Sequence, residues 1–237
     1  GGGRLPVLRV RTSLAQALAR SAGARVEVEL PLQQSTRTCQ NVLGLLPGLP
    51  TGRTVVLAAH YDHVGDDPGG ERFPGALDNA AGVAVLLAVA RELASRPEPL
   101  PFDLLVAFLT GEESGLWGAR QLVGRPPARL HAAINLDGIG SEPDLAAIRT
   151  GHARPGDWLA ALAGEIFARR GTRVEWTGGR DDSSVFIAAG IPTVGLGQQP
   201  SRQGGVALHT PDDSSAAVYP ATLAAGAAAI VELINCL

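Results

Sequence analysis

Two adjacent glutamates, Glu112 and Glu113, lie between glycines at the end of an apolar run, in the segment FLTGEESGLWG. Neighbouring carboxylates repel each other unless a cation lies between or beside them. A single acid here would be a surface residue or a helix cap, and even the pair could form the solvated start of a helix, whose positive end tolerates both charges. The pair therefore indicates either a helix start or a site that holds a cation.

Other acids and histidines occur at comparable points of the chain. They are His60 and Asp62 after the apolar run VVLAA, Asp78 just before a helical pattern, Asp137 after the run INL, and His209 in a loop near the carboxyl terminus. Taken singly, each has an ordinary explanation. Asp78 is typical of a helix N-cap, Asp137 of a turn, and His60 of a hydrogen-bonded core histidine.

Taken together, these residues predict a metal site. Imidazole nitrogens and carboxylate oxygens, with no thiolate among them, suit a borderline cation such as zinc in an open catalytic site. Two histidines and three acids also suffice for two ions about 3.5–4 Å apart, provided that one carboxylate bridges them. A shared metal explains in one step why acids and histidines concentrate at the ends of strands that carry few polar residues.

The elements that must position these residues alternate between strands and helices, which predicts an α/β fold. Predicted strands cover residues 5–10, 26–30, 41–45, 55–59, 102–109, 131–136, 174–176 and 191–195. Predicted helices cover residues 13–20, 79–94, 116–122, 158–170, 184–188 and 220–234. We expect three layers, α/β/α, around a central mixed, mostly parallel, twisted sheet. The metal site should lie at the carboxyl ends of the strands, where open sheets of this class bind ligands.

The composition restricts the classes of function. The 237 residues are 45% hydrophobic and 18% charged, with a net charge of −3, which excludes disorder and gives no electrostatic reason to bind nucleic acid. No apolar run reaches the ~20 residues that span a bilayer, so no membrane span is predicted.

Because the chain begins at Gly1 and contains no methionine, we expect a processed or trimmed form. Cys39 and Cys236 fit no CxxC pattern and leave two buried thiols or one disulfide open, the disulfide being favoured by export.

Six segments carry the candidate residues in order along the chain. They are HYDHVG (60–65), GALDNAAGVAVLL (75–87), FLTGEESGLWGAR (108–120), NLDGIG (135–140), GIPTVG (190–195) and LHTPDDS (208–214). Together they resemble the successive motifs of the zinc aminopeptidases of the M28 peptidase family, over about residues 40–237. The resemblance implies that His60 and Asp137 hold one zinc ion and that Asp78 bridges it to a second. It implies further that Glu113 and His209 hold that second ion.

The resemblance also implies roles for residues that do not ligate. Glu112 is the general base, which takes a proton from zinc-bound water and returns it to the leaving amine after the resulting hydroxide attacks the peptide. Zinc lowers the pKa of such a water from 15.7 towards ~7, so a carboxylate can complete its deprotonation. Asp62 is similar to the family's acid that orients the imidazole of His60. His63, like His131 and His152, is expected to be structural.

Two positions depart from the family pattern. Ser183, after Asp182, stands where histidine is usual in relatives, and Leu208 stands where tyrosine is frequent. Both changes are expected to reshape the substrate pocket or to weaken stabilisation of the tetrahedral intermediate. Asp213 also fits the family pattern. We expect it either to support His209 or to cap the last helix.

The resemblance implies a secreted or periplasmic bacterial aminopeptidase that acts on peptides with a free amino terminus. Residues 1–237 are predicted to form a single zinc-peptidase domain, with residues 1–35 as the tail adjoining a missing amino-terminal region of the protease-associated type. Relatives also include carboxypeptidases and a one-zinc glutaminyl cyclase, which remain alternatives. A non-catalytic binding ectodomain is the alternative of another class. It is disfavoured because such a module has no reason to keep an unligated glutamate beside a ligating one.

Overall fold

The computed structural model describes residues 10, 12–21, 23–29, 35–67, 69–143, 145, 147–149, 157–175, 180–198 and 208–237. The chain divides into two compact units, Gly1–Thr38 and Cys39–Leu237. In the first unit, α1 (Thr12–Arg20) confirms the helix predicted over 13–20, and none of its residues is buried. The strand predicted over 26–30 is wrong, since residues 26–29 are irregular and exposed. No described segment of that unit offers them a partner strand, and a lone strand is not stable in water. The strand predicted over 5–10 lies outside the described residues except for Val10.

The described residues of the second unit form seven strands. They are β1 (Val42–Leu46), β2 (Thr54–His60), β3 (Asp103–Leu109), β4 (Leu130–Leu136), β5 (Ala147–Arg149), β6 (Arg173–Glu175) and β7 (Thr193–Leu196). Five form the main sheet in the order β1-β3-β2-β4-β7, in which β1 is antiparallel to β3 and the other neighbours are parallel. Strands β5 and β6 pair in a separate two-stranded sheet. The main sheet is therefore mixed and mostly parallel, as predicted.

Helices cover both faces of the main sheet. They are α2 (Ala81–Ala94), α3 (Trp117–Gly124), α4 (Trp158–Arg169), α5 (Ser183–Ala188) and α6 (Pro220–Asn235). Along β2, Val55 and Leu57 pack in one apolar cluster with residues of α2, α4 and α6, whereas Val56 and Ala58 pack in another with residues of α3 and α5. This alternation gives the three layers predicted. It also explains why all seven residues of β2 are buried, since a central parallel strand is covered on both faces.

The differences from the predicted elements are local. Helix α2 begins at Ala81 rather than at residue 79, because Asp78 and Asn79 have non-helical backbone angles within the turn Ala76–Ala80. Strand β5 is not predicted, since three residues carry too little periodicity to be read. The predicted strand end at Trp176 lies outside the described residues.

The two cysteines differ from the prediction in their exposure and pairing. Cys39 and Cys236 are both free and exposed, whereas a buried or bridged pair was predicted. They lie just before β1 and just after α6, where side chains are not packed between layers.

Within the described residues, none of the helices has the length and apolar character needed to cross a bilayer.

Candidate metal centre

The carboxyl ends of three parallel strands carry four of the candidate residues. His60 is the last residue of β2 and is 1% exposed. Glu112 and Glu113 come shortly after β3, and Asp137 comes directly after β4. Strand β2 pairs in parallel with both β3 and β4, so the three strand ends meet at one edge of the sheet. This is the crevice in which open α/β sheets bind ligands.

One group of donors consists of His60, Asp78 and Asp137, whose ligand atoms all lie within 4.8 Å of one another. The His60 Nε2 atom is 3.2 Å from Asp78 Oδ1 and 3.5 Å from Asp137 Oδ1. These are separations expected between neighbouring ligands of one ion, since zinc binds nitrogen and oxygen at about 2.0–2.2 Å.

A second group consists of His63, Asp78, Glu113 and His209, again with all ligand atoms within 4.8 Å of one another. The His209 Nε2 atom is 3.0 Å from Asp78 Oδ2 and 3.1 Å from Glu113 Oε1. Asp78 belongs to both groups, with Oδ1 towards His60 and Oδ2 towards His209. This is the arrangement that a carboxylate bridging two ions requires. All five ligands predicted from the sequence are thus brought together.

The donor set fits metal ions because several of its buried atoms have no other partner. His60 Nε2, Glu113 Oε1 and both ring nitrogens of His63 are buried and make no hydrogen bond with the described residues. Buried polar atoms are normally hydrogen-bonded, and one left unsatisfied costs about 1–3 kcal/mol. A cation in each group would satisfy His60 Nε2, Glu113 Oε1 and one of the two ring nitrogens of His63, since each residue offers one ligand atom.

The ionisation of the cluster reflects its concentrated negative charge. Burial alone lowers the pKa of His60, but the adjoining carboxylates of Asp137 and Asp78 raise it to about 12. Burial and the neighbouring carboxylates raise the pKa of Glu112 to about 8, against the opposing effect of His60. Burial and the charge of Asp78 also raise the pKa of Glu113. A divalent cation opposes these shifts, since it neutralises the same charge.

Glu112 differs from Glu113 in its surroundings. It belongs to neither donor group. Its backbone N–H donates to Asp62 Oδ1 at 3.1 Å. Glu112 is therefore held by its main chain while its carboxylate remains available at the edge of the cluster.

Asp62 contacts His60 chiefly through its main chain. The His60 Nδ1 atom is 3.2 Å from the Asp62 carbonyl oxygen, compared with 3.7 Å from its carboxylate. An Nδ1–H donated to that carbonyl fixes the tautomer in which Nε2 is free to bind a metal. The Asp62 carboxylate instead accepts from the Glu112 amide, so this residue joins the loops after β2 and β3.

The loop that carries Asp78 is anchored by Asp213, which sequence reasoning assigned to His209 or to the last helix. Asp213 is fully buried, and its carboxylate accepts from the backbone N–H groups of Leu77 (2.6 Å) and Asp78 (3.2 Å). Helix α6 begins only at Pro220, so Asp213 does not cap it. The side chain of Asn79 adds a second anchor, donating to the Leu136 carbonyl at 2.8 Å.

The loop that carries the two glutamates is held by Asn41. Its Oδ1 accepts from the Thr110 amide at 3.2 Å, and its Nδ2 donates to the Gly118 carbonyl at 2.9 Å. A Cβ at Gly118 would lie 2.5 Å from Asn41 Oδ1 and 2.6 Å from the Thr110 backbone, so this close approach requires glycine. Asn41 lies just before β1 and has no motif signature of its own, which is why sequence reasoning missed it.

Two further positions show local conformations of note. His209 has a φ of 58°, a left-handed conformation that costs a non-glycine residue about 1–2 kcal/mol and often marks a functional position. Ser183, which replaces the usual histidine, is buried and hydrogen-bonded to Asp181 through both its hydroxyl and its amide. Burial raises the pKa of the neighbouring Asp182 to about 7. Leu208 is 37% exposed, so its replacement of tyrosine is on the surface.

Comparison with known proteins agrees with the architecture. Aminopeptidase YwaD of Bacillus subtilis is 26% identical over 224 residues, which cover 89% of this chain and 46% of that protein. The solved structure of a zinc aminopeptidase from Bacillus subtilis superposes with a TM-score of 0.69 at 24% identity, over 82% of this chain and 49% of that chain. A glutaminyl cyclase from Porphyromonas gingivalis gives 0.68 at 23% identity, over 82% and 76% of the two chains.

The family profile settles the relationship. The chain spans less than half the length of the curated relatives it matches. The profile described as Peptidase family M28 matches residues 41–234, which is most of the second unit and includes all candidate ligands. The chain therefore belongs to peptidase family M28.

Proposed function

We propose that this protein is a two-zinc aminopeptidase that removes amino-terminal residues from peptides. The observation that carries the proposal is that Asp78 is shared by two donor groups. In the proposed site, His60 and Asp137 complete one ion's protein ligands, and Glu113 and His209 contribute to the other's. Zinc is proposed because the donors are imidazole and carboxylate with no thiolate, and because the similar Bacillus subtilis structure is described as a zinc aminopeptidase.

When bound, the ions would activate a water molecule and polarise the scissile carbonyl. Glu112 acts as the general base: its carboxylate, outside both donor groups, accepts a proton from the attacking water and donates it to the leaving amine. Asp62 is a positioning residue, because it contacts both His60 and the amide of Glu112.

A free amino terminus as the substrate's recognition element is supported by the names of the relatives. YwaD and the Bacillus subtilis structure are both described as aminopeptidases. Glutaminyl cyclization is the second candidate, favoured by the similarity to the Porphyromonas gingivalis enzyme, three quarters of whose chain is covered. A secreted or periplasmic location and a single domain over residues 1–237 stay predictions.

Hydrolysis of matched peptide pairs tests the proposal. Chromogenic aminoacyl substrates and the same substrates with an acetylated amino group are incubated with the zinc-loaded protein, with and without chelator. We expect turnover of the free-amine substrates alone, its loss with chelator and its recovery with zinc. Cleavage of blocked peptides from the carboxyl end would contradict the proposal. Cyclization of amino-terminal glutamine without hydrolysis would favour the second candidate.

A further inference from the structure

His63 is the one member of the second donor group to which the family motifs give no metal role. Its Nδ1 atom lies 3.1 Å from Glu113 Oε1, and its ligand atom lies within 4.8 Å of those of Asp78, Glu113 and His209. The side chain is 12% exposed, so it belongs to the interior of the crevice rather than to its rim.

The contact between His63 and Glu113 is not a hydrogen bond. At 3.1 Å the distance would allow one, yet both Nδ1 of His63 and Oε1 of Glu113 are buried without any hydrogen-bond partner among the described residues. The two atoms are therefore close without pointing at each other. This is expected when both are directed at a common third point, as the ligands of one ion are.

The separations agree with a tetrahedral zinc site. Ligand distances of about 2.0–2.1 Å place neighbouring ligand atoms about 3.3 Å apart at tetrahedral angles. Glu113 Oε1 is 3.1 Å from His63 Nδ1 and 3.1 Å from His209 Nε2. The rings of His63 and His209 meet edge to face, with centroids 5.4 Å apart and planes at 73°, so the two imidazoles can approach one ion without overlapping.

The backbone makes room for the His63 ring. A Cβ at Gly75 would lie 2.6 Å from His63 Cγ and 2.9 Å from its Cδ2, so any other residue there would displace the imidazole. Gly75 also has a φ of 66°, which favours glycine independently. The ring is thus seated in a gap that the loop before Asp78 provides.

We propose that His63 is a fourth protein ligand of the ion held by Asp78, Glu113 and His209. This proposal rests on the proposed function for the presence of zinc. A fourth protein ligand holds an ion more firmly than three do, and zinc can expand to five ligands, so the second ion can still take up water or substrate. The two ions therefore differ: the second is bound by four protein ligands and is retained, whereas the ion of His60, Asp78 and Asp137 is bound by three and exchanges more readily.

X-ray absorption of the full chain carrying one equivalent of zinc tests the proposal directly. We expect the first equivalent to enter the site with four protein ligands and to show two imidazole ligands, from His63 and His209. One imidazole ligand would overturn the proposal. This measurement uses the wild-type protein, so it does not depend on how a variant folds.

Zinc retention provides a second test. After dialysis against a moderate chelator, the wild type should retain one equivalent of zinc and His63→Gln should lose it. We expect the zinc affinity of the variant to fall at least about 10–100-fold, since that loss is typical even for a residue that only supports a ligand. His131→Gln is the matched control, since His131 is an exposed residue at the opposite end of β4 from Asp137. Equal retention in His63→Gln and wild type would overturn the proposal.

The two proposals fail separately. Hydrolysis of a chromogenic aminoacyl substrate is measured on the same samples. Two imidazole ligands without any hydrolysis would contradict the proposed function and support the role of His63. Hydrolysis with one imidazole ligand would support the proposed function and contradict the role of His63.

Discussion

At the scale of single residues, Glu112 and Glu113 are adjacent in sequence but have different neighbours. Glu113 lies with His63 and His209, whereas Glu112 stands outside both donor groups and is fixed by the bond from its amide to Asp62. In the proposed site, a ligating carboxylate beside a non-ligating one would separate metal binding from proton transfer. Such a division of roles would account for the pair at the end of a buried strand.

Glu112→Gln removes the base while keeping the shape of the side chain. We expect zinc content to be unchanged and kcat to fall by about 10²–10⁴, because a general base typically contributes that factor. Elemental analysis and initial rates on the same sample check both parts. Turnover within a few fold of wild type would show that Glu112 is not the base.

At the scale of elements, the site depends on loops that are tied to one another across the sheet edge. Asp213 holds the amides of Leu77 and Asp78, and Asn41 holds both ends of the segment between β3 and α3. These two residues belong to neither donor group. They hold the backbone from which Asp78 and the two glutamates project.

Asp213→Asn should weaken the anchor of Asp78, because the amide side chain keeps only one acceptor oxygen for two backbone N–H groups. We expect a loss of about 1–3 kcal/mol in the free energy of unfolding and a zinc affinity reduced about 10–100-fold. Denaturant titration and chelator competition measure the two effects. Asp212→Asn is the control, since Asp212 is exposed, and similar losses in both variants would contradict the anchoring role.

Gly118→Ala should disturb the glutamate loop by steric overlap with Asn41 and the Thr110 backbone. We expect the free energy of unfolding to fall by about 1–3 kcal/mol, as in other overpacked sites. Gly124→Ala, in the same helix, has nothing within 4 Å of the added Cβ and should be neutral or stabilising. Thermal unfolding compares the two, and equal stability of the variants would refute the close packing at Gly118.

At the scale of the whole molecule, the two donor groups join the ends of β2 and β4 to loops from distant parts of the chain. His209 comes from the segment before α6, and Asp78 from the turn before α2. Ions at this position would therefore cross-link segments that span most of the second unit. Metal binding is expected to stabilise the fold as well as to support hydrolysis.

Zinc should raise the unfolding temperature of the chelator-treated protein. At a free zinc concentration 1,000 times the Kd, the stabilisation is about 4 kcal/mol. For a domain of this size that corresponds to an increase of about 8–16 °C. Calorimetry with and without zinc measures it. Asp78→Ala, which lacks the shared carboxylate, should show little increase, and a full increase in that variant would mean that Asp78 does not bridge.

Much of this architecture was predictable from the sequence. The central strands are apolar at nearly every position, and prolines or glycines follow within a few residues of α2, α4 and α5, so the order of elements follows largely from local patterns. His60 and Asp137 could be placed at the sheet edge because they lie at the carboxyl ends of strands. Asp78, Glu113 and His209 were indicated as ligands by the ordered motifs and their resemblance to the family. The strand over residues 26–30 was predicted wrongly, since alternation alone does not provide a partner strand.

The tertiary structure decided which donors converge. His63 looked structural in sequence, and only the folded loop brings it to Glu113, 50 positions along the chain, past the gap at Gly75. Asp213 accepts hydrogen bonds from amides 135 and 136 positions away, and no local sequence pattern predicts contacts over that separation. Sequence periodicity reports which face of an element is buried. Distances between side chains on separate loops depend on how those loops pack, and that is settled when the sheet and its two helix layers assemble.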